Sequence, residues 1–424
     1  MSFRGEDLYL TRLSLTNFRI FARLDVDVPQ GAVLLVGANA QGKTSLLEAI
    51  YYLATFVSFH AGSDRELINF LAAREPLAVS RIVAEFCYSG LSSDQESSGG
   101  SRPSSHRLEV RVIQEPQGIN GSAKLRKEML LDGVKFKAGE LVGRFNAVIF
   151  LPQTMRVIEG PPEERRRYLN LTLAQVWPRY AVSLVGYTRA LAQRNALLKQ
   201  LGERGGDPEQ LSFWDEQLAA YGATLIYARI RAVQELERQA SVCHHELTRG
   251  QEILRLSYQP AYDPVARSEK QYALPLDAPL DRTGYSESKI QQGFLESLQK
   301  ARSEEIARGL TAIGPHRDDL RFLSNGMDLG VYGSRGQVRT AVLSAKLAEV
   351  AWMKEKTGHS PVLLLDEVMA ELDTSRREDL IGRLTESEQA LLATTDLDLF
   401  PPEFVKRAAL WHIEAGNLIQ QGDL

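Results

Sequence analysis

Eight consecutive residues, Gly37-Ala38-Asn39-Ala40-Gln41-Gly42-Lys43-Thr44, carry the most specific chemistry in the chain. A glycine, four free positions and Gly-Lys-Thr allow the backbone to curl so that successive N–H groups point at phosphate oxygens. The lysine then balances the terminal phosphates, and the hydroxyl holds a divalent cation. The apolar run Val33-Leu34-Leu35-Val36 precedes the loop and Ser45-Leu46-Leu47-Glu48-Ala49-Ile50 follows it. The pattern therefore predicts strand, loop and helix, with the helix N-terminus adding partial positive charge. On this reading Gly37 to Ser45 cradle ATP, Lys43 reaches its β- and γ-phosphates, and Thr44 binds Mg²⁺.

A second run, Val362-Leu363-Leu364-Leu365-Asp366-Glu367, is an apolar strand ending in two acids. By itself it fits equally well a buried strand that ends in acids for solubility. Beside a phosphate loop the pair acquires a use: Asp366 reaches the Mg²⁺ shell through water, and Glu367 takes a proton from the attacking water. Phosphoryl transfer needs mainly positioning and charge neutralisation, so Lys43, Asp366 and Glu367 form the expected catalytic group. Gln153 follows the apolar run Phe145–Leu151, where ABC-type ATPases place a glutamine that senses metal and water. With Thr44 and Asp366 it is expected at the metal, although an ordinary loop glutamine fits the same position.

Ser334-Arg335-Gly336-Gln337 resembles the signature of ABC-type ATPases, with Arg335 where that class usually has glycine. A glycine-containing helix cap also accounts for these residues. In that class the signature serine faces a nucleotide held by a second subunit. Ser334, Gly336 and Gln337, with Asp373 after the strand acids, are therefore expected to complete the nucleotide site of another copy, so that ATP joins a homodimer. Thr394-Thr395-Asp396 stands where many relatives carry a γ-phosphate-sensing histidine. The histidine is absent, and its role is left between Thr395 and Asp396.

These residues need two kinds of element to place them. Alternating or apolar runs at Leu8–Leu15, Leu24–Val28, Ser80–Tyr88, His106–Gln114, Lys124–Leu131 and Phe145–Leu151 predict strands, the first two feeding the nucleotide-binding strand. From Glu163 to Leu201 apolar residues recur at helical steps broken by Pro178, and the period returns from Ser212 to Leu247. The two make an antiparallel helical hairpin, and a third helix is expected at about Ser286 to Leu310. After Gly314-Pro315 a sheet pattern resumes, with a strand at Leu320–Leu323, a helix at Gln337–Lys356, and strands at Val362–Leu365, Ala390–Thr394 and Ala409–Glu414. The expected organisation is an α/β head of ABC/SMC type split by a helical arm: residues 1–155, then the arm at 156–310, then 311–424.

Composition sets the bounds. The chain has 424 residues, 44% hydrophobic and 25% charged, with a net charge of −4. That balance excludes a uniformly basic nucleic-acid binder but leaves room for a basic patch. Two cysteines, Cys87 and Cys243, provide neither a disulfide framework nor a thiolate zinc site. Met1 to Gln30 lacks a long apolar block, and no later run reaches membrane-spanning length, so no signal peptide, anchor or membrane partner is expected. Ser92 to Ser101 reads as a flexible surface loop.

Taken together, the opening Leu13-Ser14-Leu15-Thr16-Asn17-Phe18-Arg19, the phosphate loop, Asp64-Arg65-Glu66-Leu67-Ile68, Glu164-Arg165-Arg166-Arg167-Tyr168-Leu169, Gly314-Pro315-His316-Arg317-Asp318-Asp319, the signature and Leu365-Asp366-Glu367 resemble the RecF family of bacterial recombination-repair ATPases, in the SMC/ABC group. The resemblance implies a cytoplasmic, nucleoid-associated protein that binds double-stranded DNA next to single-stranded gaps. It also implies ATP-induced dimers, weak DNA-dependent ATP hydrolysis, and work with RecR and RecO to help RecA. Arg165, Arg166, Arg167, Lys124, Arg126 and Lys127 are candidates for phosphate contact, or else a solvated charged face. His316 with Asp318 and Asp319 fits local hydrogen bonding better than a metal site. A transporter ATPase subunit, a Rad50-like head and a nucleotide-gated clamp without turnover are the alternatives. The distance in sequence between Lys43 and Asp366 argues against the first, the short insertion without a Cys-x-x-Cys hook against the second, and Glu367 against the third.

Overall fold

The computed structural model describes residues 7–89, 104–116, 124–265 and 281–420, and the serine-rich stretch at 92–103 lies outside them. The described chain forms two compact units, Met1–Thr154 with Val350–Leu424, and Met155–Glu349. The first is built on a sheet whose strand order is Asn417–Gln420, Ala409–Glu414, Gly31–Val36, Gln389–Thr394, Val362–Asp366, Ala147–Phe150. All neighbours pair in parallel except the edge strand Asn417–Gln420. Val362–Asp366 and Gln389–Thr394 are buried at every position, which is why they read as unbroken apolar runs and not as alternating ones. Because the strands run the same way, the phosphate loop, Asp366-Glu367, Thr395 and Gln153 all leave the sheet at its carboxyl edge, where α/β sheets bind ligands.

The second sheet of this unit is antiparallel, in the order Phe21–Asp27, Asp7–Phe18, Ala78–Ser89, Ser104–Gln114, Leu125–Leu131, Val134–Phe136. The first two strands thus belong to it and do not pair with the nucleotide-binding strand. Alternation of exposed and buried residues reported a half-buried strand without saying which sheet it joined. Gln389 ties the two sheets together. It is 1% exposed, and its side chain donates to Leu10 O at 2.9 Å and Pro29 O at 2.8 Å while accepting from Leu10 N at 2.8 Å. Each buried amide atom thereby has a partner.

In the second unit Pro178 divides the helical pattern as its chemistry requires, giving helices Pro162–Val176 and Pro178–Arg204, each with proline in the first turn. Helix Ser212–Leu247 packs against Pro178–Arg204, and helix Glu287–Arg308 packs on both. Residues 311–349, which the sequence reading grouped with the C-terminal head segment, lie in this unit. Strand Asp319–Ser324 pairs with Leu254–Gln259 and Met327–Asp328 and not with the parallel sheet. Helix Arg335–Thr357 begins here and ends in the first unit.

A fully buried ion cluster fixes the helices. Arg194 Nε lies 2.7 Å from Asp215 and its Nη1 2.7 Å from Glu305, with every side chain of the three at 0% exposure. Arg194 also donates to Thr311 Oγ1 at 2.8 Å, and Arg302 pairs with the second oxygen of Asp215 at 2.7 Å. Removing one member strands a buried charge, so Arg194→Met is expected to destabilise the protein by about 3–5 kcal/mol. A lowered urea midpoint reads this out, and an unchanged midpoint contradicts it.

Candidate nucleotide-binding site

The loop after strand Gly31–Val36 is shaped by close approach. A Cβ on Gly37 would stand 2.4 Å from Ile413 O, and one on Gly42, at φ +116°, would meet Ile20 and Phe21 side-chain carbons at 2.9 and 3.1 Å. Only glycine fits either place. The loop is also clasped from outside: Ala415 N donates to Gln41 Oε1 at 2.6 Å, and Gly416 N to Gln41 O at 3.1 Å. The turn after strand Ala409–Glu414 therefore holds the cradle, a support that the loop sequence alone does not announce.

Helix Lys43–Thr55 starts directly after Gly42. Lys43 is 4% exposed, and its Nζ donates to Gly37 O at 2.7 Å and Ala38 O at 3.1 Å. It also lies 3.2 Å from Glu367 Oε1. That separation makes an ion pair but lacks hydrogen-bond geometry, and Glu367 Oε1 is a buried oxygen without a hydrogen-bond donor. Thr44 Oγ1 sits 2.9 and 3.0 Å from the two carboxylate oxygens of Asp366. The phosphate loop and the strand acids, far apart in sequence, thus meet in one place.

Burial raises the Asp366 carboxyl above its ordinary range and Glu367 next to it adds to this; Thr44, His60 and Lys43 offset part of the shift. Glu367 holds a left-handed backbone, φ +53°, at the strand end, a costly conformation for a non-glycine residue and one that recurs at functional sites. Two adjoining carboxylates, one with an orphaned oxygen, fit a divalent ion. Among the described residues no group of three or more His, Cys, Asp or Glu side chains converges.

Gln153 is exposed in the turn Pro152–Met155, just past the strand that pairs with Val362–Asp366. Asp373 caps helix Thr374–Thr385 by accepting from Arg376 N at 3.0 Å and pairs with the Arg376 side chain. Asp396 caps the next turn by accepting from Asp398 N at 2.9 Å, and Thr395 is exposed at the strand end. Ser334, Arg335 and Gly336 are exposed at the start of helix Arg335–Thr357, in the second unit, beside Val331 and Tyr332 at 61% and 73% exposure. Gln337 N donates to Ser334 Oγ at 3.3 Å and Ser334 N to Gln337 Oε1 at 3.1 Å. This reciprocal pair is a capping box made by Ser334 and Gln337, with Gly336 taking no part in it.

Several of the basic candidates have other work. Arg165 is buried, pairs with Asp319 at 2.6 Å and donates to Gly160 O at 2.7 Å. Lys127 donates to Phe56 O at 2.8 Å, pairs with Asp64 at 3.1 Å and stands over the Tyr52 ring. Neither offers its charge to a ligand. Arg166 donates to Asp318 O at 2.7 Å, exposed Arg126 pairs with Glu128 at 3.4 Å and Glu115 at 3.5 Å, and Lys124 and Arg167 are exposed. His316 bonds Tyr187 at 2.7 Å and Thr311 O at 3.1 Å, with its pKa pressed by burial to about 4, and Asp318 pairs with Arg229 at 2.7 Å. The motif that suggested a metal is an internal network.

A central parallel sheet that brings a phosphate loop and a strand-end acid pair together, with a Ser-x-Gly-Gln helix start elsewhere in the chain, defines an SMC/ABC-type ATPase head. Comparison agrees: the family description RecF/RecN/SMC N terminal domain matches residues 9–400. The chain is 39% identical over 421 residues to the DNA replication and repair protein RecF of Roseiflexus castenholzii, covering 97% of this chain and 99% of that one. It is 37% identical to the RecF of Chloroflexus aurantiacus, with the same coverage. The solved structure of a recombination mediator protein RecF with ATP, in the RecFOR pathway, superposes with a TM-score of 0.79 at 29% identity, covering 100% of both chains. An Smc head domain from Pyrococcus furiosus shares the fold at a TM-score of 0.50 and 16% identity. The chain belongs to the RecF family, which sets aside the transporter and Rad50-like alternatives.

Proposed function

We propose that the chain is an ATP-dependent DNA-binding protein of recombination repair. In this reading it dimerises with ATP on double-stranded DNA beside single-stranded gaps, hydrolyses ATP slowly and DNA-dependently, and assists RecA loading with RecO and RecR in the cytoplasm. The observation that carries it is the meeting of Thr44 with Asp366 and of Lys43 with Glu367. Thr44 and Asp366, with Gln153 from the neighbouring strand end, would hold Mg²⁺, and the backbone from Gly37 to Ser45 would hold the phosphates. Mg²⁺, when bound there, would supply charge neutralisation for the triphosphate. Lys43 leaves its loop carbonyls to balance the γ-phosphate, and Glu367 then receives the proton of the attacking water.

Exposure of Ser334 at a helix N-terminus supports its presentation to the triphosphate of a second copy. The net charge of −4 calls for DNA contact through a local patch; within the first unit Lys124 and Arg126 are more exposed than Lys127, and within the second Arg167 is more exposed than Arg165. Among the described residues no helix is long and apolar enough to cross a membrane. Sedimentation with ATP, ADP and gapped duplex in turn tests the reading. Dimers with ATP, monomers with ADP, and DNA binding that needs ATP and weakens with added salt are expected. The same species under every nucleotide overturns it.

A further inference from the structure

Helix Ser212–Leu247 and the start of helix Arg335–Thr357, both in the second unit, are joined by a polar chain centred on Glu252. Its Oε1 accepts from Gln337 Nε2 at 3.2 Å. Its Oε2 accepts from Ser324 Oγ at 2.8 Å and lies 3.2 Å from His244 Nε2. His244 is fully buried in the last turn of the long helix, and its other ring nitrogen lies 3.0 Å from Ser344 Oγ, on the same helix as Gln337. Ser344 Oγ in turn donates to Thr340 O at 2.7 Å. Burial opposes the charge on Glu252, but the hydrogen bonds from Ser324, Gln337 and His244 prevail and keep its pKa below the ordinary value.

The consequence falls on the amide of Gln337. Its carbonyl oxygen faces the Ser334 N–H and its nitrogen faces Glu252. An amide has two orientations, and its partners decide between them. A carboxylate only accepts, so it demands the nitrogen, and the oxygen is then sent toward Ser334. With Glu252 gone the amide keeps only its bond to the Ser334 N–H, so it is held less firmly and the capping box opens more often. The closed box matters because Ser334 Oγ, as acceptor from Gln337 N, keeps its own proton for a partner outside the chain.

We propose that Glu252 is the positioning residue of the Ser334 cap, holding Gln337 in the one orientation that presents the serine hydroxyl and tying that cap through His244 to the end of the long arm helix. The inference rests on the reading of Ser334 as the group that meets a second copy's nucleotide. The test uses the full chain and the variants Glu252→Ala and Glu252→Gln. Glu252→Ala is expected to speed amide hydrogen exchange at Ser334 and Gln337 by about tenfold, the loss of one hydrogen bond to a charged group. Amides of helix Glu287–Arg308 serve as the reference and keep parental rates. In the same variant ATP affinity of the monomer is retained, ATP-dependent dimerisation weakens by about tenfold, and kcat falls with KM little changed. Glu252→Gln, which can still accept from Gln337, recovers part of each effect, and a general loss of fold does not predict that recovery. Parental exchange at Ser334 and Gln337 in Glu252→Ala overturns the inference, whatever the dimers do. Accelerated exchange with parental dimerisation leaves Glu252 as the holder of the cap and removes Ser334 from the dimer.

Discussion

Lys43→Ala is expected to lower ATP affinity by about 10- to 100-fold, the range for loss of a charge-assisted hydrogen bond. The side chain is nearly enclosed and stands between two loop carbonyls and Glu367. It thus places a positive charge beside the acid pair. Alanine leaves the γ-phosphate uncompensated and at the same time leaves Asp366 and Glu367 to repel it. ATP-induced dimers are lost with the nucleotide. Calorimetric titration of ATP into the variant, with far-ultraviolet circular dichroism as a control for folding, measures this; parental affinity contradicts the cradle.

Glu367→Gln separates binding from chemistry. Glutamine has nearly the same shape, so the strand end and the left-handed turn at φ +53° are preserved, while the proton acceptor is removed. Single-turnover hydrolysis is expected to slow by about 10²- to 10⁴-fold, the contribution of a positioned general base. Binding stays intact or tightens, because one negative charge beside the triphosphate is gone, and dimers on DNA live longer. If hydrolysis proceeds at the parental rate, the base is another group.

The parts of the site that announce themselves in sequence are those whose chemistry depends on spacing. The phosphate loop needs its two glycines at Gly37 and Gly42, and the structure gives each a collision that any other residue would cause. Strand Val362–Asp366, buried on both faces, reads as an apolar run for the same reason that it can end at a ligand. Pro178 marks the helix boundary because it lacks the N–H that an unbroken helix would use. What stays hidden is partnership across long separations. Nothing local tells that Asp7–Phe18 joins the antiparallel sheet, that Asp319–Ser324 pairs with Leu254–Gln259, or that Gln41 is clasped by Ala415 and Gly416. Arg165 shows the same blindness. A triplet of arginines in sequence looks like a charged face, but the helix turns its first member inward onto Asp319. The Ser334-x-x-Gln337 spacing, by contrast, was a readable capping-box signal, and Glu252 was not, since only the folded chain brings it to Gln337.

Ser334→Arg tests the central claim most directly, because it separates what one copy does from what two copies do. The serine stands exposed at its helix start, so the larger, charged side chain has room in the single molecule and none against a facing nucleotide. Sedimentation velocity with saturating ATP, run beside a nucleotide-binding titration, is the measurement. Parental ATP affinity in a protein that stays monomeric is the predicted result. An ATP-dependent dimer as stable as the parent's would mean that the two copies meet by another surface.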